Sequence, residues 1–353
     1  MRALGASRTS LVPGGVLAGP WVRDGLWRRA RAVPSLDLRF ADNKSLTDAV
    51  TGASLVTFTR ASNGTYTDSA GVLQTAATNV PRFDHNPTTG ESLGLLVEEQ
   101  RTNLLLNSGT LSTQSVTVTA AAHTLSFTGT GTITLTGTST AGPLVGTGES
   151  NRVSLTFTPT AGSLTLTVSG TVTNAQLEVG SFRTSYIPTT AAAATRSADV
   201  ASITGSNFSS WYRQDEGTVF YDGQVSGSES GTKNLLGLSN GSGSNIIDLV
   251  IPSKLNQRFR VTTGGVQQAL QNVIPTASVY NPAKVAYAFK LDDTNSAGNG
   301  TVLSTDTSCT IPTVDRFTFG VVATGEAQVA ARFKRLTYWP QRLANSTLQN
   351  ITT

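Results

Sequence analysis

Cysteine occurs once in 353 residues, at Cys309, so no disulfide can close within the chain. That excludes a small secreted scaffold stapled by cystines. One thiol with two histidines, His85 and His123, is thin material for cysteine catalysis, and the sequence shows no cluster of zinc-ligand spacing. There is no Gly-x-Ser-x-Gly elbow. No apolar run approaches the ~18 residues that a membrane span needs. Pro13, Gly14, Gly15, Gly19 and Pro20 interrupt the one candidate apolar stretch near the start, so no secretory signal is expected. Charged residues make up only 14% of the chain, and the net charge of +4 is unevenly placed. Residues 1–35 carry six arginines against one acid, Asp24, so the remaining residues sum to −1. A nucleic-acid-binding face needs a basic stripe on a folded body, and none is expected here.

What is abundant is threonine, serine and glycine, in patterns of period two. Leu36, Leu38 and Phe40 alternate with Asp37 and Arg39, and Val56 and Phe58 repeat the pattern. Asn63-Gly64 marks a tight turn before Tyr66. Leu93, Leu95 and Val97 predict another strand. Residues 102–148 contain no charged side chain. There Thr124, Thr128, Thr130, Thr132, Thr134, Thr136, Thr138 and Thr140 share one parity, opposite Leu125, Phe127, Ile133 and Leu135. This predicts strands with one apolar face and one Thr/Gly face, an uncharged surface suited to packing against copies of itself. Residues 180–197 read as a linker. Further strands are expected at 219–221, 246–251, 259–261, 285–291, 317–322 and 329–338, with a β-bulge between 333 and 336 and a short helical turn over 343–348. The fold class is therefore all-β: tandem β-sandwich or jelly-roll domains behind an extended N-terminal arm. The boundaries read as a basic arm over 1–35, a β-rich connector module over 36–107, a short Thr-rich sandwich over 108–190 and a jelly roll over 191–353.

Three segments carry a resemblance. Thr59-Arg60-Ala61-Ser62-Asn63-Gly64-Thr65-Tyr66, followed by Gly94-Leu95-Leu96-Val97-Glu98 and Arg101-Thr102-Asn103-Leu104-Leu105, resembles a module that recurs in tailed-bacteriophage virion structural proteins of the tail-fibre, spike or head-fibre type. Ala175-Gln176-Leu177-Glu178-Val179-Gly180, running to Tyr186-Ile187-Pro188-Thr189, resembles the closing strand of carbohydrate-binding-module-like sandwiches. Gly217-Thr218-Val219-Phe220 to Arg335-Leu336-Thr337-Tyr338-Trp339-Pro340 resembles the concanavalin A-like, laminin-G-like jelly roll. Together they cover roughly residues 36–350. The resemblance implies a virion structural protein with lectin-like domains, located on a phage tail or capsid. It also implies a homotrimer, from the way such proteins assemble.

Within that frame the arm is expected to anchor to a phage tail or capsid protein. Trp21, Arg23, Trp27, Arg28, Arg29 and Arg31 are the anchoring candidates, the tryptophans filling pockets and the arginines pairing with acids. The alternative is that the tryptophans fold back onto the chain's own body. Trp211, Tyr212 and Trp339 are the candidates for stacking on a host-surface glycan, with core packing as the alternative. The polar loops 226–233 and 239–245 are further candidates for binding, as sandwich-end loops often are. Asp292, Asp293, Asn295 and Asn299 offer oxygen ligands in one loop, but their spacing lacks the calcium-loop pattern and reads as a turn, so no metal is expected. Adjacent acids such as Glu98/Glu99 and Asp215/Glu216 point to opposite faces of a strand and do not converge on one bond. No enzyme activity and no cofactor are expected. The leading expectation is a fibre- or spike-type virion protein that mediates host attachment. The alternatives are a head-decoration or purely structural component without a ligand and, less favoured, a glycan-cleaving tailspike.

Overall fold

The computed structural model describes residues 24–227, 231–252, 256–275, 281–303, 305–321 and 328–353. Strand accounts for 51% and helix for 7%, so the chain is all-β, as its period-two patterns require. Among the described residues the largest body is a pair of antiparallel sheets. One has eight strands: Thr301–Val302, Asn295–Gly298, Ala283–Lys290, Glu216–Gly227, Ala330–Trp339, Ser92–Val97 and Arg82–His85 in spatial order, with Leu36–Leu38 also paired to Ala330–Trp339. The other has seven: Thr57–Thr59, Val200–Thr204, Arg316–Phe319, Thr232–Ser239, Ile246–Pro252, Gln257–Thr263 and Val266–Ile274. Their apolar faces share one core. Across it Phe259 stacks on Tyr287 at 4.9 Å between ring centroids, and Phe319 meets Phe333 edge-on at 5.2 Å. Each such buried aromatic or aliphatic side chain contributes roughly 1.5–3 kcal/mol from area burial.

The sheets redraw the boundaries read from the sequence. Residues 36–97 do not form a module apart from the jelly roll, because they supply strands to both of its sheets: Leu36 lies opposite Tyr338, Phe58 opposite Ala201, and Leu95 opposite Phe333. Alternation marks a half-buried strand but not its partner, and here the partners are more than a hundred residues away. The bulge expected between 333 and 336 is present. Asp222 pairs with Arg335 and Gly223 with Phe333, so Lys334 is the extra residue, and Leu336 and Tyr338 rejoin the core face.

Between Arg101–Asn103 and Ala194–Arg196, which pair with each other, the chain makes a smaller sandwich. Its four-stranded sheet runs Leu144–Val145, Thr132–Gly137, Gly162–Ser169, Gln114–Val118, and its three-stranded sheet Gly148–Phe157, His123–Gly129, Val172–Val179. Leu125, Phe127, Ile133, Leu135, Leu164, Leu166 and Leu177 fill the space between them. The threonine face divides in two. Thr134 and Thr136 are exposed, whereas Thr124 and Ser126 are buried under a polar layer that includes Arg152, Gln176 and Glu178.

A short helix, Gly25–Ala30, lies on the outer face of the eight-stranded sheet beside the C-terminal helix Asn345–Ile351. The sheet presents Ala286, Ala288 and Ala297 there, small enough for helices to approach, around Phe220 and Trp339. Asp24 caps the first helix by accepting from the backbone N–H groups of Leu26 and Trp27. This covering explains why Asp37, expected on a solvent face, is fully buried. Its carboxylate accepts from Trp27 Nε1, Arg39, Arg335 and Thr337.

Candidate functional site

The residues 59–66, 94–105 and 194–199 meet in one buried ion network. Asp199 accepts from Arg60 Nη1 at 3.1 Å, from Arg82 Nη2 at 2.5 Å and from the backbone N–H of Glu98 at 2.8 Å. Glu98 pairs with Arg82 at 2.9 Å and faces Arg196 at 3.6 Å. Burial alone would raise the Glu98 pKa. Arg196, Arg82 and the Ser185 hydroxyl and amide donors overcome that and hold it well below the usual carboxylate range. Asn103 adds a second junction: its amide donates to the carbonyls of Ala175 and Ile187, and its oxygen accepts from Leu105 and Leu177. Residues 184–189 are thus packed between the two sandwiches rather than forming a linker, with Thr184, Tyr186, Ile187 and Thr189 buried.

Above this network lies a cleft of about 580 Å³ between the small sandwich, the hairpin Gly64–Thr67/Leu73–Ala76 and the edge of the large sandwich. Tyr66, His85, Arg152, Arg183, Ser185, Tyr186 and Arg332 line it, with the exposed strand residues Glu149 and Asn151 on one side. Arg332 is engaged by Asp84 at 2.7 Å and donates to Ser226 Oγ. Arg152 donates to the Thr184 carbonyl at 2.6 Å and to Ser126 Oγ at 2.8 Å, while its buried Nε has no partner among the described residues. Burial pushes the Arg152 pKa down to about 10, with Glu178 opposing the shift and Arg183 adding to it. Arg183 has neither a carboxylate nor a hydrogen-bond partner among the described residues. Arg183 is exposed; partial desolvation in the cleft and the neighbouring Arg332 lower its pKa. His85 Nδ1 lies 3.1 Å from the Thr67 carbonyl oxygen and donates to it, and Nε2 is buried without a partner among the described residues. The cleft therefore offers a half-buried tyrosine ring and the exposed Arg183 guanidinium among polar side chains, a lining suited to a polar ligand.

The aromatics proposed from sequence lie elsewhere, and two of them cannot stack on a sugar. Trp339 is fully buried, donating to the Ala32 carbonyl beneath the two helices, and Trp211 is 4% exposed within the core. Tyr212 is half-buried, but its ring packs against Phe208 at 4.6 Å and Tyr338 at 5.6 Å, on a cavity of about 320 Å³. Strand-end aromatics here belong to the core because both faces of the eight-stranded sheet are covered. Trp27 likewise folds back onto the body: it is buried, bonded to Asp37, and lies under Arg39, whose guanidinium carbon is 5.3 Å from the ring centroid. Arg29 donates to Thr353, while Arg28 and Arg31 are exposed. Trp21 and Arg23 lie outside the described residues, as does part of the loop 226–233. In the loop read as a turn, Asp292 caps Cys309, Asp293 pairs with Arg342, Asn295 donates to the Leu303 carbonyl, and Asn299 accepts from Lys284. The side-chain oxygens of Asp292, Asp293 and Asn299 are thus turned to separate partners, and the buried Oδ1 of Asn295 has none among the described residues. Sequence reasoning missed Tyr66, His85, Arg152, Arg183 and Arg332, because each comes from a different strand or connection; the signal that could have raised them is the density of arginines in otherwise charge-poor stretches.

No protein-family model matches the chain, and no curated protein does. Solved structures to which it is similar include the CBM40 of the Ruminococcus gnavus IT-sialidase bound to α2,6-sialyllactose, at 17% identity and a TM-score of 0.34. They also include the NanB sialidase of Streptococcus pneumoniae, at 15% and 0.35, and the leech intramolecular trans-sialidase, at 19% and 0.33. These matches span 40%, 42% and 40% of this chain, and 85%, 26% and 23% of those chains respectively.

Proposed function

We propose that the chain is a virion attachment protein of a tailed bacteriophage, of the fibre or spike type, which binds host-surface saccharide in the junction cleft. The observation that carries binding is the cleft itself, whose Tyr66 ring and Arg152 and Arg183 guanidinium groups sit on strands and connections tied together by a buried ion network. The virion reading is supported by the segments 59–66, 94–98 and 101–105, which carry the resemblance to phage virion modules. Several copies on one particle, in a homotrimer, would raise weak single-site affinity through effective concentration. No hydrolysis is assigned. Glu98 is held ionised by two arginines and Asp84 is committed to Arg332, so neither supplies the proton that glycosidic cleavage requires.

The test is an array of bacterial surface polysaccharides probed with the full chain and with Asn151→Trp, which places an indole in the cleft beside an exposed strand position. Binding by the wild type that is lost in the variant supports the reading; equal binding by both, or none by the wild type, refutes it. For location, residues 24–35 are integral to the fold, so the deletion to make is residues 1–23. Unchanged incorporation of that variant into particles refutes anchoring by the arm. Immunogold label spread over the head would replace the tail-fibre assignment with head decoration.

A further inference from the structure

We infer that the cleft is built for an anionic saccharide, one whose acidic group pairs with Arg183; this rests on the saccharide-binding reading above. Most of the charged groups around the cleft are already engaged. Arg332 has its carboxylate in Asp84. Glu98 is consumed by Arg82 and Arg196 and by the two Ser185 donors. Glu178, the carboxylate with the strongest influence on Arg152, already accepts from the Thr184 amide and hydroxyl and from Gln176. Glu149 is exposed and accepts from Thr173. Arg183, itself exposed, is a lining cation without an ion pair among the described residues, as Glu149 is a lining anion without one, and it is flanked by Arg152 and Arg332, both of which bear on it electrostatically.

A guanidinium in this position offers a planar fork that fits a carboxylate, sulfate or phosphate in two-point geometry, and a neutral hydroxyl cannot neutralise it. The Tyr66 ring is half-buried in the same lining, beside the 6% exposed His85. An aromatic face suits the C–H side of a pyranose ring. Ring face and acidic group together describe an acidic sugar.

The experiment uses the full chain on an array holding uronic-acid, sialylated, sulfated, phosphorylated and neutral glycans, followed by titration calorimetry on the strongest hit. The expected result is that the hits fall among the acidic glycans, that affinity drops with salt, and that Arg183→Ala weakens binding ten- to a hundredfold, the loss typical of a charged hydrogen-bonded group. Lys290→Ala, at an exposed residue outside the cleft lining, should change nothing. Whether carboxylated or sulfated and phosphorylated glycans dominate the hits identifies which acidic group is recognised. Hits confined to neutral glycans, or an Arg183→Ala variant that binds as well as wild type, overturn the anionic ligand and leave saccharide binding standing. Absence of any glycan hit overturns both.

Discussion

Replacing Asp199 by asparagine removes one charge and almost no volume from the network that joins the two sandwiches. Asp199 is fully buried, and so are the guanidinium groups of Arg60 and Arg82 that its two oxygens accept from. Three buried arginines, Arg60, Arg82 and Arg196, share two buried carboxylates, Asp199 and Glu98. After the substitution one carboxylate remains, and an amide –NH2 faces a guanidinium, donor against donor. Arg60 keeps its bonds to the carbonyls of Ser62, Ala76, Ala77 and Val80, which satisfy its hydrogens but not its charge. Breaking a buried pair in this way costs about 3–5 kcal/mol. In a body of this size that corresponds to a fall in melting temperature of roughly 6–20 °C. Trp27, Trp211 and Trp339 all lie in the large sandwich or its helical cover, so tryptophan fluorescence follows that body directly. The reference variant is Arg213→Ala, which breaks an exposed pair with Asp215 and should cost less than about 1 kcal/mol. If Asp199→Asn melts with the reference variant, the network does not hold the junction and the reasoning fails.

Three further outcomes follow from single sites. Gly94 has φ of +83°, and a Cβ there would run into the Phe333 carbonyl, backbone that cannot yield; Gly94→Ala should cost about 2–4 kcal/mol, and a circular-dichroism melt within a few degrees of wild type would contradict this. Because its partners hold the folded Glu98 pKa below the unfolded value of 4.5, that group's contribution is present above about pH 4.5 and is lost as pH falls below it. Glu178, which burial pushes up, acts with the opposite sign. The difference in stability between wild type and Glu98→Gln, followed by urea titration from pH 7 to 3, should therefore shrink as acid is added; a constant difference would exclude the assignment. Burial, with Asp306 and Asp292 nearby, pushes the Cys309 thiol up to about 11, and the residue is 1% exposed. It should react with a disulfide reagent at pH 8 only after denaturation, and prompt labelling of the native protein would show the burial to be wrong.

The strands were legible from the sequence because alternation is a local property. Val285, Tyr287 and Phe289 face the core as their parity requires, and the bulge at Lys334 follows from the change of parity between Phe333 and Leu336. The partners of those strands were not legible. Nothing near Leu36 announces Tyr338, and so a boundary was drawn where the sheets are continuous. The aromatic candidates failed for a related reason. A tryptophan at a strand end looks exposed until a third layer is added, and that layer here comes from helices at opposite ends of the described chain. Thr124 and Ser126 show the same limit: period two assigns them to a polar face, but not to one buried against the polar layer of Arg152 and Glu178. Arg60 and Asn103 stand out in the sequence only within the resembling segments, and Glu98 there and beside Glu99; the structure gives those segments a physical meaning. They are the residues that fix the junction.

That junction accounts for where the cleft sits. The chain leaves the large sandwich through Arg101–Asn103 and returns through Ala194–Arg196, and the two segments pair, with Thr102 bonded to Thr195 through their hydroxyls at 2.7 Å. A two-stranded stem alone would let the small sandwich rotate. The Asn103 bonds to residues 175, 177 and 187 on one side, and the Arg82–Glu98–Ser185 bonds on the other, remove that freedom. The cleft walls are then set by groups that are already hydrogen-bonded before any ligand arrives. A ligand entering such a site pays little to order it, which matters most when each contact is weak and the protein works in many copies. Arg183, exposed on the cleft lining without an ion pair among the described residues, is the group at which an acidic ligand gains the most.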